Sequence, residues 1–148
     1  MKLTQLTRKG EILPTYKVYK DCMFNPTPEK FEKKVDSFLS DNTVKIFACT
    51  VNDEIKGVII VTFYMMGELE ILGITVDETE RNKGIGSFMI NELVKTYNIK
   101  TVYAETDKDA VGFYRKNGFS VTEFCKDYNG EKVIRYRCEK NKIDVQLA

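Results

Sequence analysis

The chain has 148 residues, of which 43% are hydrophobic and 30% are charged, and its formal net charge is +1. We expect a single domain over residues 1–148, because this length is typical of one domain and is sufficient to bury a sizeable core. A net charge this close to zero provides no field that would attract the protein to nucleic acid or to a membrane surface. The first residues hold no apolar segment long enough for a signal peptide, and the longest apolar run, 57–67, is too short to span a bilayer, so we expect a cytoplasmic location.

The residue types limit the chemistry that the chain can perform. It contains no histidine, and its four cysteines show no CxxC spacing, so we expect the cysteines to be small, reduced hydrophobic residues and expect no metal site. Without histidine, catalysis by Ser-His or Cys-His pairs is excluded. Any acid-base chemistry must come from carboxylates, tyrosine, lysine or a thiol.

In chain order, the first half predicts a strand, two helical segments and two more strands, at 2–7, 10–24, 27–40, 43–51 and 54–65. Pro14 interrupts or opens the first helical segment. The second helix is better defined, because Thr27 can cap it and Pro28 suits its first position. Asn52 and Asp53 separate the last two strands and indicate a hairpin.

The second half predicts alternating strands and helices followed by two final strands, at 68–76, 84–97, 100–106, 108–117, 119–128 and 131–139. Gly118 is well placed for a left-handed cap after the second of these helices, with Phe119 packing back onto it. Asn129 and Gly130 indicate a tight hairpin turn. The strand–helix–strand unit over 69–105 must form a right-handed parallel crossover. Its helix-start loop therefore opens at the carboxyl end of a strand, where ligands bind in open α/β sheets.

The loop RNKGIG at that helix start combines poor helix formers with unfavourable charges. Gly84 and Gly86 weaken a helix, and Arg81 and Lys83 lie at its positive end. The arrangement is explained if an anion with several oxygens, such as a pyrophosphate, approaches the free N–H groups that glycine leaves accessible. The alternative is a solvated basic turn. A Walker A loop is absent, and Met89 stands where a dinucleotide fingerprint needs its third glycine.

Two segments resemble signatures of the GNAT superfamily of N-acetyltransferases. VDETERNKGIGSFMI, at 76–90, is similar to the acetyl-CoA-binding motif, whose core pattern [RQ]xxGx[GA] is met by Arg81, Gly84 and Gly86. AVGFYRKNGF, at 110–119, resembles the second signature, a helix that ends in FY-x-x-x-GF. The two occur in the family's order with a strand between them, and the resemblance covers nearly the whole chain.

The resemblance implies an α/β (α+β) fold with helices on both faces of a central mixed, mostly antiparallel sheet of about six or seven strands. Two parallel central strands would be splayed, and the pantetheine arm of the cosubstrate acetyl-CoA would fill the gap. Gly73 is well placed for a bulge that starts the splay, or alternatively for close packing of the strand against a helix. The implied cofactor-binding residues are Ile74, Thr75, Val76, Arg81, Asn82, Lys83, Gly84, Ile85, Gly86, Ser87, Asp107 and Phe113. Many relatives have asparagine where this chain has Asp107, which can also cap the following helix.

Acetyl transfer to an amine needs one group to take a proton and another to supply one. The resemblance implies Tyr114 as the general acid for the departing sulfur, since it lies one turn after Ala110 on the helix face toward the gap; the alternative is a core tyrosine beside Phe113. Phenol and thiol pKa values differ by about 1.5 units, which corresponds to a cost of about 2 kcal/mol.

Glu70 aligns with the catalytic glutamate of the family's histone-acetylating branch and is implied as the general base. An ordinary glutamate is a poor base for an ammonium, so it would need apolar surroundings or a water relay. The alternatives are that Glu70 only orients the substrate or shapes the acceptor pocket. Glu68 lies on the same face of the strand, nearer to solvent.

The acceptor would be an amine-bearing small molecule or peptide, entering beside the first two helices. Residues that could line this entrance are Tyr16, Tyr19, Met23 and Phe24, although ordinary helix packing also explains them. We expect neither a nucleic-acid nor a membrane partner, and a homodimer is one assembly that the sequence allows. Two rival classes are a non-catalytic acyl-CoA-binding regulatory module and a nucleotide-binding or interaction domain. The presence of both Glu70 and Tyr114 favours an enzyme.

Overall fold

The computed structural model describes residues 1–141, and the strands of that part form one seven-stranded sheet. The strands are β1 (Lys2–Leu6), β2 (Val44–Val51), β3 (Glu54–Tyr64), β4 (Glu68–Val76), β5 (Thr101–Thr106), β6 (Ser120–Tyr128) and β7 (Glu131–Asn141). The helices are α1 (Lys9–Ile12), α2 (Tyr16–Tyr19), α3 (Pro28–Leu39), α4 (Ile85–Thr96) and α5 (Val111–Lys116).

The strand order across the sheet is β1-β2-β3-β4-β5-β7-β6. In the part of the chain that is described, β4 and β5 form the one parallel pair, and every other neighbouring pair is antiparallel. The crossover between β4 and β5 contains α4. The predicted mixed, mostly antiparallel sheet with helices on both faces is confirmed.

Both predicted tight hairpins are present, and their turns explain the choice of residues. Asn52 and Asp53 have φ values of 53° and 64° between β2 and β3. Asn129 and Gly130 have φ values of 53° and 89° between β6 and β7. Two consecutive positive φ angles match the right-handed twist of the flanking strands, and asparagine, aspartate and glycine tolerate them best.

The first helical region is more broken than the sequence predicts. Around Pro14 it divides into α1, a 3-10 turn over Leu13–Thr15, α2 and a second 3-10 turn over Lys20–Cys22. Proline lacks an N–H group and clashes with the preceding turn, so within a helix it kinks or breaks it. By contrast, α3 begins as predicted, because the Thr27 hydroxyl accepts a hydrogen bond from the N–H of Lys30 at 3.1 Å.

The two faces of the sheet carry different cores. The first core packs α4 and α5 against one face and extends from β2 to β7, with members such as Ile59, Leu69 and Cys138. The second core packs α1, α2 and α3 against the other face of β2 and β3, with members such as Val18 and Ile60. The described members of the second core include no residue from β5, β6 or β7, so on that face the last three strands lack a helical cover.

No helix among residues 1–141 is long and apolar enough to cross a membrane. The same residues contain no cluster of histidine, cysteine and carboxylate side chains that could hold a metal ion.

Candidate active site

The sheet opens between its two parallel strands. Hydrogen-bonded pairing joins Glu68–Ile71 of β4 to Thr101–Ala104 of β5 and then stops, although both strands continue. The other edge of β4 stays paired with β3 as far as Val76. Residues 74–76 therefore direct the backbone groups of their free edge into a gap, where an extended ligand could pair with them as a strand would.

A bulge in β4 lies directly beyond the last paired residue. Ile60 of β3 lies opposite Gly73, whereas the next residue, Val61, lies opposite Ile71, so Leu72 is the extra residue. A bulge increases local twist and bends its strand, which accounts for the separation of β4 from β5 at this position. Gly73 borders the bulge, as the sequence predicts, without being the extra residue itself.

Close packing also explains Gly73. A Cβ atom at this position would lie 2.7 Å from the hydroxyl oxygen of Tyr19 in α2, a distance that real Cβ contacts do not reach. Two residues further on, the Thr75 hydroxyl donates a hydrogen bond to the carbonyl oxygen of Val18 at 3.2 Å. The part of β4 that follows the bulge is therefore covered by α2, and both sequence interpretations of Gly73 describe part of its role.

The loop after β4 presents a row of backbone donors at the same end of the gap. Gly84, with a φ of 86°, precedes the first residue of α4, Ile85. The N–H groups of Ile85, Gly86 and Ser87 occupy the first helical turn and have no partner within the helix. Together with the positive end of the helix dipole, they form a site suited to an oxygen-rich anion.

The two glycines of this loop have structural reasons beyond access for an anion. Gly84 needs its left-handed conformation, while nothing lies within 4 Å of a Cβ atom placed on it. Gly86 is buried, and a Cβ atom there would lie 2.7 Å from the ring of Phe113 in α5. Besides the predicted access for an anion, the lack of a side chain at Gly86 lets α5 pack against α4.

Both loop cations have acidic partners. The Arg81 guanidinium donates to the carbonyl oxygen of Val76 at 3.1 Å and to the Asp21 carboxylate at 3.0 Å. The Lys83 ammonium lies 3.3 Å from the Glu80 carboxylate. Arg81 thereby joins the loop to the end of β4 and to the turn after α2.

Asp107 is used as a local cap. One of its carboxylate oxygens accepts hydrogen bonds from the backbone N–H groups of Asp109 and Ala110, each at 3.0 Å. This turn precedes α5, which begins at Val111 and is shorter than the predicted 108–117 helix. At the other end, Gly118 adopts the predicted left-handed conformation with a φ of 82°.

A cavity of about 320 Å³ lies between α4 and α5 and was not anticipated from the sequence. Its polar lining residues are Ser87, Asn91, Lys116, Asn117 and Lys140. Ser87 donates a hydrogen bond to Asn117 across the helix pair, and the ammonium of Lys140 donates to the backbone carbonyl of Asn117 at 2.5 Å. Lys140 thus stabilises the carbonyl end of α5, where a cation is favoured.

Tyr114 lies in the first core and is only 4% exposed. Its ring meets those of Phe113 and Phe119 edge-on, each at a centroid distance of 5.2 Å. Among the described residues its hydroxyl has no hydrogen-bond partner. Burial raises the pKa of this hydroxyl, with smaller contributions from Cys138 and Cys22.

Glu70 lies on the opposite face from Tyr114, one residue before the β4–β5 pairing ends. Its neighbours Leu69 and Ile71 point into the first core, so strand alternation turns Glu70 the other way. The side chain is half-buried, just outside the part of β4 that α2 covers. Its carboxylate accepts a hydrogen bond from the Tyr64 hydroxyl at 2.8 Å, and this bond is the main cause that raises the pKa of Tyr64.

The aromatic residues expected at the acceptor entrance are mostly packed. Tyr16 and Tyr19 contact the ring of Phe31 at 5.4 and 5.5 Å, and Met23 packs against the second core. Phe24 alone of the four is strongly exposed, at 90%. Ordinary helix packing therefore describes three of these residues.

Sequence reasoning did not identify Tyr64 as a partner of Glu70. The available signal was the alternation of β3, which places Tyr64 on the same face as Glu70 once β3 and β4 form a hairpin. The register of that hairpin depends on the connection Met65–Gly67, where Met66 has a positive φ of 67°. Methionine gives no turn signal of the kind that asparagine or glycine does.

Comparison with known proteins agrees with this geometry. The sequence model of the acetyltransferase (GNAT) family matches residues 12–119, and no curated protein matches the chain. A GNAT family acetyltransferase from Elizabethkingia anophelis with acetyl-CoA bound is 19% identical, with a TM-score of 0.67 and coverage of 95% of this chain and 97% of that chain.

Two further solved structures share the fold. The ribosomal-protein-S18-alanine N-acetyltransferase from Escherichia coli is 15% identical, with a TM-score of 0.65 and coverage of 95% of this chain and 94% of that chain. A variant of the spermidine N-acetyltransferase SpeG from Vibrio cholerae is 14% identical, with a TM-score of 0.73 and coverage of 98% and 95%. Because the family model spans most of the chain and includes the loop and both helices beside the gap, this protein belongs to the acetyltransferase (GNAT) family.

Proposed function

We propose that this protein transfers the acetyl group of acetyl-CoA directly to a primary amine, with Glu70 as general base and Tyr114 as general acid. The observation that supports the proposal is that Glu70 lies where the β4–β5 pairing ends, whereas Tyr114 lies in the first core, on the opposite face of the sheet. Acetyl-CoA supplies the thioester whose acyl carbon the amine attacks. The amine nitrogen forms the new bond and loses a proton, and the carbon–sulfur bond breaks while the sulfur gains one.

Acetyl-CoA would be held along the gap by backbone groups. The free edge of β4 at Ile74, Thr75 and Val76 suits an extended amide-containing arm. The donors of the helix-start loop, from Arg81 to Ser87, suit the pyrophosphate. Phe113 lies against that loop, and Asp107 lies in the turn before α5, so both are proposed as further contacts.

Tyr114 is suited to the acid role because a phenol carries its proton across the physiological range, and burial raises the pKa of this one further. A dry pocket also disfavours the charged thiolate, so burial affects donor and acceptor in the same direction. The hydroxyl, without a partner among the described residues, is free to donate to the sulfur.

Glu70 is suited to the base role because it lies at the foot of the gap and remains accessible from the side that α2 leaves uncovered. It could take the amine proton directly or through one water molecule. A third role, orienting the ammonium without accepting its proton, needs the same position. Glu68 on β4 and Glu105 on β5 are exposed carboxylates that could act as the base instead of Glu70.

The acceptor is proposed as a primary amine of a small molecule or peptide. Two structural neighbours are named as N-acetyltransferases of spermidine and of a ribosomal-protein alanine, and both acceptors are amines. An exposed Phe24 and a carboxylate beside the gap suit a cationic group with an apolar stem.

A release assay tests the proposal. The chain is incubated with acetyl-CoA and a panel containing spermidine, an aminoglycoside, an amino acid and a peptide with a free N-terminus, and free CoA is measured. Acetyl-CoA at about 100 times its dissociation constant should also add about 2.7 kcal/mol of stability, with ATP and NAD adding much less. Acetyl-CoA binding without CoA release for any amine would favour a non-catalytic binding module. Equal stabilisation by all three ligands would leave only a general phosphate site.

A further inference from the structure

The Glu70 carboxylate has one defined protein partner, and that partner is held by other side chains. The Tyr64 hydroxyl donates a hydrogen bond to one oxygen of Glu70 at 2.8 Å. Tyr64 is the last residue of β3 and pairs with Glu68, while Glu70 pairs with Thr62, so the contact runs diagonally between two strands. Its geometry is therefore determined by the register of the β3–β4 hairpin.

Tyr64 is fixed in turn by side chains of β5 and β7, on the part of this sheet face that lacks a helical cover. Its ring is nearly parallel to that of Tyr103 in β5, with a centroid distance of 6.2 Å and an interplanar angle of 20°. The Arg137 guanidinium of β7 lies 4.3 Å from the centroid of the Tyr103 ring. Arg137 also lies 3.8 Å from the Glu139 carboxylate. This series of contacts restricts the Tyr64 ring even though the side chain is 45% exposed.

We propose that Tyr64 is a positioning residue that holds Glu70 in the orientation needed to receive the amine proton, an inference that rests on the proposed function of Glu70. The bond occupies one carboxylate oxygen, and no hydrogen bond within residues 1–141 occupies the other. In this arrangement the second oxygen would receive the amine proton. A carboxylate on a flexible two-carbon stem would otherwise sample several rotamers, and small displacements of a catalytic group cost large factors in rate.

Tyr64 can perform this role over a wide pH range. Its pKa is raised, chiefly by the bond to Glu70, so the hydroxyl stays protonated and remains a donor throughout the range in which amines are acetylated. The groups that face it are Glu70, Tyr103 and, next to Tyr103, the Glu68 carboxylate and the Arg137 guanidinium. With these groups around it, Tyr64 remains the hydrogen-bond donor and Glu70 remains the acceptor.

The test compares Tyr64→Phe in two backgrounds. In the parent, the variant should lower kcat about tenfold and leave the KM for acetyl-CoA unchanged, because only the orientation of Glu70 is lost. In a Glu70→Gln background the same substitution should change kcat less than about twofold, because no base remains to be oriented. Phenylalanine keeps the ring stacked on Tyr103, so folding should be preserved, and near-ultraviolet circular dichroism checks this.

Tyr97→Phe is the matched control. Tyr97 is 42% exposed and its ring contacts Phe63, the neighbour of Tyr64 in β3, on the other face of the sheet. This control should leave kcat unchanged. A Tyr64→Phe variant with parental kcat, or an equal loss of kcat in both backgrounds, would overturn the inference. A parent that releases no CoA with any amine would overturn the proposed function, whereas an active parent with a fully active Tyr64→Phe variant would overturn the inference alone.

Discussion

The two sides of the gap between β4 and β5 offer opposite environments to the two proposed proton-transfer groups. On the side of α4 and α5, Tyr114 is buried among aromatic rings and its hydroxyl has no partner within the described residues. On the other side, Glu70 is half-buried, is hydrogen-bonded to Tyr64 and borders the part of the sheet face that has no helical cover.

This difference has a physical rationale in the proposed reaction. A general base must return its proton to water in every cycle, so a position near solvent is an advantage. A general acid whose task is to donate to a leaving sulfur benefits from a dry pocket that keeps it neutral until sulfur accepts its proton. In the proposed reaction one sheet serves both groups because the pairing of β4 with β5 ends between its two faces.

The largest expected effect comes from removing the proposed proton acceptor, Glu70, on the more exposed side of the gap. Glu70→Gln keeps the volume and a hydrogen-bond acceptor for Tyr64 but cannot take a proton, so kcat should fall by roughly 100- to 10,000-fold. Activity should recover partly at high pH, where neutral amine is plentiful. The measurement is CoA release as a function of pH, with Glu123→Gln, an exposed carboxylate on the edge strand β6, as the control.

A different result would reassign the role of Glu70. If the KM for the amine rises while kcat is unchanged, Glu70 orients the substrate. Normal turnover across the whole pH range would exclude it as base and leave Glu105, Glu68 or water acting on amine that is already neutral.

The next test removes the proposed proton donor, Tyr114, on the side of α4 and α5. Tyr114→Phe should lower kcat by about 100-fold or somewhat less, because a thiolate is a tolerable leaving group, and acetyl-CoA affinity should stay nearly constant. The free energy of unfolding should not fall, since the hydroxyl that is lost has no partner among residues 1–141. Steady-state kinetics and urea denaturation measure the two effects. Tyr136→Phe, which alters a tyrosine packed against the same core, is the control.

Loss of acetyl-CoA affinity with unchanged kcat would make Tyr114 a binding residue. Unchanged kinetics would show that the sulfur leaves without help from this hydroxyl.

The third test concerns the packing that holds α5, and with it Tyr114, against α4. Gly86→Ala should lower the free energy of unfolding by about 1–3 kcal/mol, because its Cβ atom would lie 2.7 Å from the Phe113 ring. Gly112→Ala in α5 is the matched control. A Cβ atom there meets nothing within 4 Å, so alanine should stabilise the helix by about 0.5–1 kcal/mol. Urea denaturation compares the two, and a Gly86→Ala variant as stable as the parent would contradict the packing interpretation.

The smallest expected effect concerns the sheet face on which Glu70 lies. Gly73→Ala places a Cβ atom 2.7 Å from the Tyr19 hydroxyl oxygen and should cost about 1–2 kcal/mol of stability. In a Tyr19→Phe background, which lacks that oxygen, the cost should fall by about 1 kcal/mol. A double-mutant cycle from denaturation curves measures the coupling. Additive effects would show that the strand relaxes without involving Tyr19.

Local sequence was sufficient wherever neighbouring residues decide the conformation. The turns at Asn52–Asp53 and Asn129–Gly130, the cap at Thr27 and the left-handed Gly118 are as predicted, because each depends on a backbone preference of the residue concerned. The two glycine-containing signatures likewise indicated the family before any contact was known.

Tertiary structure decided what depends on two distant segments meeting. Three contacts of this kind join residues that are far apart in sequence. Gly86 accommodates Phe113, Tyr19 covers Gly73, and Arg81 pairs with Asp21. The conformational preferences of single residues do not determine which distant residues meet. The same holds for the bond from Tyr64 to Glu70. The sequence by itself determined which residue types could move a proton. The register of β3 on β4 decided that Tyr64 and Glu70 occupy the same face of the sheet, because a shift of one residue turns every side chain of a strand to the other side.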